Sequence, residues 1–235
     1  MTAIFRYSDP IIQRYPNVVG GILDVRGAQG GASQPELLER FAAEQRAVLA
    51  RIGDTPLSQI ESLAAWRSVF RSFGVDPTQI RSACEALLRR LTKQGDIPSI
   101  NRLVDIGNLV SIRYGLPVAV VDTRALTGGI TVRPAEGTEH FTNLGTTEVV
   151  NPDPGEVIFA GDAGLVFARR WCWRQSDQSA AREDTTRCVV TVEAHHAGGR
   201  RDVEAALADL QALFSAYTGG QQRADILTKD QPVFN

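Results

Sequence analysis

A chain of 235 residues, 43% hydrophobic and 22% charged, can bury a substantial core and has the composition of a globular domain. A formal net charge of -2 and a pI near 6.0 exclude a protein that grips nucleic acid through bulk charge. No apolar run approaches the roughly 20 residues that span a bilayer, the opening MTAIFRYSDPIIQRYP lacks a signal core, and the three cysteines form no CxxC pair, so the chain reads as cytoplasmic.

Residues 1–32 read as short strands, with Ile11-Ile12, Val18-Val19 and 22–25 separated by Pro16 and a Gly20-Gly21 turn. Residues 27–33 form a connector. From 33 to 95 the apolar spacing becomes helical. Ser33 with Glu36 makes a capping box, and Leu38, Phe41, Ala42, Val48, Leu49 and Ile52 make a stripe. Thr55-Pro56 opens a short second helix, and Trp66, Val69, Phe70 and Phe73 supply a core stripe stopped by Gly74. Asp76-Pro77 marks a further helix start. Ser82 with Glu85 marks another, whose helix leaves Arg89, Arg90 and Lys93 outside and ends at Gly95.

Residues 99–114 are predicted as a helix with Asn101, Asp105 and Asn108 stacked on one face. Strands follow at 118–121, 130–133 and 157–160. The turn Gly161-Asp162-Ala163-Gly164 leads into another at 165–168, and 188–193 is a further strand. Residues 201–217 form an amphipathic helix, and the polar tail 219–235 reads as a loose end. Helices and strands fall in runs, which predicts an α+β fold. We read 1–235 as one domain: N-terminal strands and helices to 80, a core with a pocket at 81–218, then the tail.

No GxGxxG, Walker loop, GxSxG elbow or HExxH is present. On a strand the adjacent His195 and His196 point to opposite faces, so neither a metal nor any other cofactor is expected. The remaining candidates are Asn101, Asp105, Asn108, Asp162, Trp171, Trp173, Arg174, Gln175 and Glu193. They suit hydrogen-bonded recognition of a small polar molecule, with water as the attacking group in any catalysis. Glu193, late in the apolar strand CVVTVEA, requires a strand edge, a partner or a pocket. The tryptophans of RRWCWRQSDQ, on one face of an extended segment, either wall a pocket or fill a core. The helical polar row either contacts a ligand or ties neighbouring loops.

Four stretches in this order, VDIGNLVSIRYGLPVAVVD (104–122), GGITVRPAEG (128–137), VIFAGDAG (157–164) and TTRCVVTVEA (185–194), resemble the B3/4 domain. This is the tRNA-editing domain of the bacterial phenylalanyl-tRNA synthetase beta subunit, here without the synthetase's other domains. The resemblance covers 80–217 well and the N-terminal part loosely. It implies a B3/4-like mixed sheet with helices, and a pocket between the 99–114 helix and the sheet. There the ester joining a wrong amino acid to the terminal adenosine of tRNA is hydrolysed in trans.

The resemblance implies Asp105, Asn108 and Glu193 as the catalytic set, Glu193 matching the glutamate that reads the polar end of the misplaced amino acid. Asn101, Asp162, Trp171, Trp173, Arg174, Gln175 and Thr186 are placed around the substrate. The implied partner is the charged 3′ end of tRNA, held transiently, with no membrane and no obligate protein partner. Two departures stand out: Ala119 replaces a histidine, and RRWCWRQSD replaces a GGxxGG loop. They imply a different selectivity, and the tryptophan loop with acids at Glu193 and Asp162 suits a planar cationic side chain through stacking and charge pairing, as in the arginine mimic canavanine that the resemblance implies. The alternatives are a non-catalytic module that binds tRNA or an amino acid, and an interaction protein.

Overall fold

Period-two alternation of Val, Ile and Phe builds two main sheets in the computed structural model, which describes residues 4–235. In chain order the strands are β1 (Phe5–Tyr7), β2 (Val19–Arg26), β3 (Val118–Asp122), β4 (Ile130–Pro134), β5 (Phe141–Thr142), β6 (Val149–Val150), β7 (Val157–Ala160), β8 (Val166–Arg169), β9 (Arg174–Gln175), β10 (Arg187–Ala194), β11 (Gln221–Leu227) and β12 (Val233–Phe234). A six-stranded sheet runs β12-β1-β4-β7-β8-β9 and a four-stranded sheet runs β11-β2-β10-β3, with β5-β6 a separate pair. β1 and β4 are parallel and the other pairs antiparallel, so the sheets are mixed. The helices are α1 (Asp9–Arg14), α2 (Pro35–Ile52), α3 (Glu61–Ser72), α4 (Ala83–Gln94), α5 (Arg102–Tyr114) and α6 (Gly199–Tyr217). The fold is α+β.

Alternation along β10 divides the interior. Cys188, Val190, Val192 and Ala194 face the helix layer, where they join Leu103, Ile106 and Val110 of α5 and Val203 and Leu210 of α6. Val189 faces the other way, into a layer between the two sheets with Phe5, Val132, Phe159 and Phe167. The same alternation sends Thr191 and Glu193 into that inter-sheet layer. Each buried phenylalanine there stabilises the fold by about 2 kcal/mol.

Local chemistry sets several element ends: Ser82 and Gly95 fall where expected, whereas Asn101, expected inside the helix at 99–114, stands just before it. Ser82 Oγ accepts from the Glu85 N–H at 3.3 Å, and Asn101 Oδ1 accepts from the Val104 N–H at 3.0 Å, capping α4 and α5. Gly95 and Gly115 close those helices in the left-handed conformation.

Other expectations are corrected. Ile11-Ile12 lies in α1, because Asp9-Pro10 starts a helical turn. Gly20 and Gly21 lie inside β2 and make no turn. Close neighbours select them: a Cβ on Gly20 would overlap the Tyr7 hydroxyl, and one on Gly21 would press on Val192 and Val203. Ser33 does not cap α2; Gln34 holds that position without a side-chain bond, and Ser33 is drawn to Asp105. The buried stripe of α2 runs through Leu37, leaving Leu38 exposed. Thr55-Pro56 leads only to a 3-10 turn at Leu57–Gln59, and Asp76 makes a local turn with Thr78 in place of a helix. The tail is not loose: β11 and β12 cover the otherwise open edges of β2 and β1.

Candidate active site between the two sheets

Glu193, the last but one residue of β10, lies in the inter-sheet layer and is only 2% exposed. The Tyr7 hydroxyl donates to its Oε1 at 2.6 Å and the Trp171 indole N–H to the same oxygen at 3.0 Å. Oε2 receives no hydrogen bond from the described residues, and the side chain lines a cavity. Burial pushes this carboxyl up to about 7, against the pull of the two donors. The same burial, with the carboxylate alongside, raises the Tyr7 phenol well above its ordinary value, so Tyr7 stays a donor.

Register brings these groups together. Glu193 pairs across the ladder with Gly20, and that glycine leaves the opening that the Tyr7 hydroxyl fills. Trp171 arrives through the turn from β8 to β9, where Arg170 and Trp171 adopt left-handed φ values of 46° and 63°. Such residues cost on the order of 1 kcal/mol each unless held. Glu156 holds them: it accepts from the Arg170 N–H at 3.0 Å and from the Arg169 guanidinium at 2.8 and 2.6 Å. The turn separates the two tryptophans, which overturns the expectation of a shared face. Trp171 is fully buried, while Trp173 stays half-buried at the rim, its ring 4.5 Å from the guanidinium carbons of both Arg170 and Arg174.

Behind Glu193 stands an aromatic wall. His195 packs edge-on against Trp66 and Trp171 at centroid distances of 4.5 and 4.9 Å, and the two indoles are 5.5 Å apart. The Trp66 N–H donates to the Glu193 carbonyl at 3.3 Å. Burial pushes the His195 imidazole down to about 3, which keeps it neutral. This dry wall accounts for the raised Glu193 carboxyl.

The cavity in front is a narrow cleft of about 70 Å³ that opens to solvent. Its walls are Pro117, Val118 and Ala119 on the edge strand β3, Phe159 and Ala168 from the facing sheet, Thr191, Ala83 and residues 171–175. Gln175 spends its amide protons on the carbonyls of Val120 and Ser179, at 2.8 and 2.6 Å, leaving its oxygen as an acceptor. Pairing of β3 with β10 leaves the main-chain groups of Val118 on the open edge, without a strand partner. Cys172 also lines the cavity, but burial raises its thiol well above the ordinary value, so it is a poor nucleophile at neutral pH.

Of the residues singled out in the sequence, the cavity gathers Glu193, Trp171, Trp173, Arg174 and Gln175. It does not gather Asn101, Asp105 or Asn108. Helix α5 lies on the opposite face of the four-stranded sheet, with Gly107 seated on Val118 and Val120, so the pocket expected between that helix and the sheet is replaced by packing. Asp105 is fully buried and accepts from Ser33 Oγ at 2.6 Å, from Ser99 Oγ and from the Ile100 N–H at 2.9 Å. Asn101 caps α5 and donates to the Ala181 carbonyl at 2.9 Å. Asn108 is half-buried and makes no hydrogen bond with the described residues. Asp162 is exposed in the β7–β8 turn over Gly128, and Thr186 is exposed ahead of β10; neither lines the cavity. Sequence reasoning missed Tyr7, Gly20 and His195 as parts of the site and took Trp66 for plain core.

Among the described residues no group of three or more His, Cys, Asp and Glu is placed to hold a metal, and no helix is long and apolar enough to cross a membrane.

The B3/4 domain model matches residues 65–218. The phenylalanine–tRNA ligase beta subunit of Geobacter metallireducens is 40% identical over 83 residues, 35% of this chain and 10% of that protein. The beta subunit of Nocardia farcinica is 35% identical over 111 residues, 47% of this chain and 12% of that one. The chain thus spans about a tenth of the length of the curated relatives it matches. A solved N-terminal fragment of the phenylalanyl-tRNA synthetase beta subunit from Pyrococcus horikoshii aligns with a TM-score of 0.48 at 12% identity, over 94% of this chain and 50% of that one.

Proposed function

Because this chain belongs to the B3/4 domain family and is homologous to the phenylalanine–tRNA ligase beta subunit, we propose that it hydrolyses the ester of a mischarged aminoacyl-tRNA. One observation carries the reading: a buried carboxylate with one oxygen free of hydrogen bonds from the described residues lines a cleft that opens to solvent. In that dry setting an apolar side chain leaves the charged form of Glu193 unpaired, whereas a cationic one pairs with Oε2. The preferred amino acid is therefore arginine-like, canavanine included.

The reacting ester is already activated, so positioning and exclusion of bulk water supply the rate. Water attacks the ester carbonyl, assisted by the neighbouring ribose hydroxyl of the substrate. The Gln175 oxygen and the Val118 carbonyl accept from the α-ammonium group, and Trp173 with Arg174 at the rim meets the terminal adenosine. Asp105 and Asn101 act from the far side of the sheet, tying the loops around the start of α5, and Asn108 lies on that side too; none of the three touches substrate.

A panel of mischarged tRNAs tests this. Loss of the cationic aminoacyl ester should be faster than spontaneous hydrolysis, and Glu193→Gln should lower that rate by about 100-fold, the worth of a charge-assisted pair. No acceleration for any member of the panel overturns the proposal. A second reading, a module that binds charged tRNA without turnover, draws on Ala119 standing where the family carries a histidine. Equilibrium binding with an unchanged ester half-life would select it.

A further inference from the structure

The cations along the outer face of α4 take no part in the site described above. Between α4 and the loop at 53–58 lies an open groove of about 390 Å³ lined by Arg67, Arg81, Arg89 and Lys93, with Glu85 and Asp54 as its acids. Glu85 is already engaged, by Arg67 at 2.6 Å and Arg81 at 3.8 Å. Arg89 and Lys93 are exposed and form no ion pair with the described residues. Helical spacing produces this face: Cys84, Glu85, Leu88 and Leu91 are buried, and Arg89 and Lys93, four residues apart, are left outside.

The start of α4 links the groove to the cavity in sequence. Ala83 lines the cavity, and its N–H donates to the Cys172 carbonyl at 2.7 Å, which ties the start of α4 to the tryptophan turn. Arg81, two residues earlier, lines the groove. From Ala83 to Lys93 the helix then rises about 15 Å. A chain of net charge -2 has thus left two cations, Arg89 and Lys93, without an ion pair among the described residues on the helix whose first residue lines the cavity.

We infer that this groove is an RNA track: the sugar–phosphate backbone of an acceptor stem whose end enters the cavity runs along α4, its phosphates met by Arg81, Arg89 and Lys93. The assignment rests on the deacylase reading for what fills the cavity. It adds the surface that would recognise RNA beyond the terminal nucleotide, through charge and without base readout.

The test is equilibrium binding of an uncharged RNA minihelix with a single-stranded CCA end across a salt series. Arg89→Glu with Lys93→Glu should weaken binding at least roughly 10-fold and cut the slope of log affinity against log salt by about two, one per lost phosphate contact. Arg200→Glu with Arg201→Glu, an equal charge change on exposed residues of α6, should leave both nearly unchanged. Both cation pairs are exposed, and the thermal midpoint monitors folding. Wild-type affinity and slope in the α4 variant, or an equal loss in the α6 variant, overturns the track. Uncharged RNA does not report hydrolysis. A groove that binds while no ester is cleaved therefore sinks the deacylase reading alone, and an intact hydrolase whose α4 variant binds normally sinks the track alone.

Discussion

Two buried carboxylates, Asp105 and Glu193, lie on opposite sides of one four-stranded sheet. Asp105 divides three donors between its two oxygens, with Ile100 on Oδ1 and the two serine hydroxyls on Oδ2. Glu193 concentrates both of its donors on Oε1 and turns the other oxygen to a cavity. Burial alone therefore does not mark a functional acid. A carboxylate with every oxygen answered by its own fold is a fastener, and one with an unanswered oxygen facing open space is a receptor.

The strongest challenge to that contrast is Asp105→Ala. Three donors would lose a fully buried acceptor, at a cost of about 4 kcal/mol, read as a lower urea midpoint. The fraction that stays folded should hydrolyse ester at the wild-type rate, with Asp105→Asn as the milder form. A folded Asp105 variant with a dead site would move this residue to the receptor side of the comparison.

Glu193→Gln should act in the opposite direction. The folded carboxyl keeps its proton up to about pH 7 and the unfolded one only to about 4.5. The stability this group contributes is present below 4.5 and is lost as pH rises through 7, by about 3 kcal/mol. Glutamine does not titrate, so the variant should exceed the wild type by about 3 kcal/mol above pH 7 and converge with it toward pH 4.5. Urea unfolding at the two ends of that window measures the difference. An equal gain at both ends would mean that ionisation of Glu193 is not what the fold resists.

How much of this was legible in the sequence follows from range. The cap at Ser82 and the stop at Gly95 were readable because donor and acceptor lie three or four residues apart. Glu193 was readable because a carboxylate inside CVVTVEA has few places to go. Its anchor was not: Tyr7 lies 186 residues away, and only the pairing of β2 with β10 reveals why Gly20 stands opposite the acid. Glycines inside a strand and glycines in a turn look alike in sequence, so close approach to Tyr7 was mistaken for a bend. Asp105 and Glu193 were likewise indistinguishable as acids among apolar residues, because which face of the sheet each occupies is a tertiary fact. The tryptophan pair was misjudged because left-handed φ at Arg170 and Trp171 is imposed by Glu156 and β7, not by local propensity.

Gly20→Ala probes the receptor from behind. The added methyl overlaps the Tyr7 hydroxyl, so the ring must withdraw from Glu193 or β2 must shift, at a cost of about 2 kcal/mol. Tyr7→Phe in the same background should relieve most of the clash, since it removes the overlapping oxygen. Failure of that rescue in thermal unfolding would show that Gly20 is needed for the strand itself and not for the Tyr7–Glu193 contact.

The gentlest test is Trp171→Phe, which keeps the aromatic wall and removes one donor to Oε1. Stability should fall by about 1 kcal/mol, the ordinary worth of a hydrogen bond. The more telling effect is on titration. The indole N–H favours the charged carboxylate, so its loss should move the Glu193 carboxyl above about 7 and carry the alkaline rise of hydrolysis with it. A pH profile of kcat/KM, or carboxyl-selective NMR titration, reads the shift. A midpoint left at about 7 would mean that the indole bond is not felt by the acid, and the division of labour between its two oxygens would lose its physical basis.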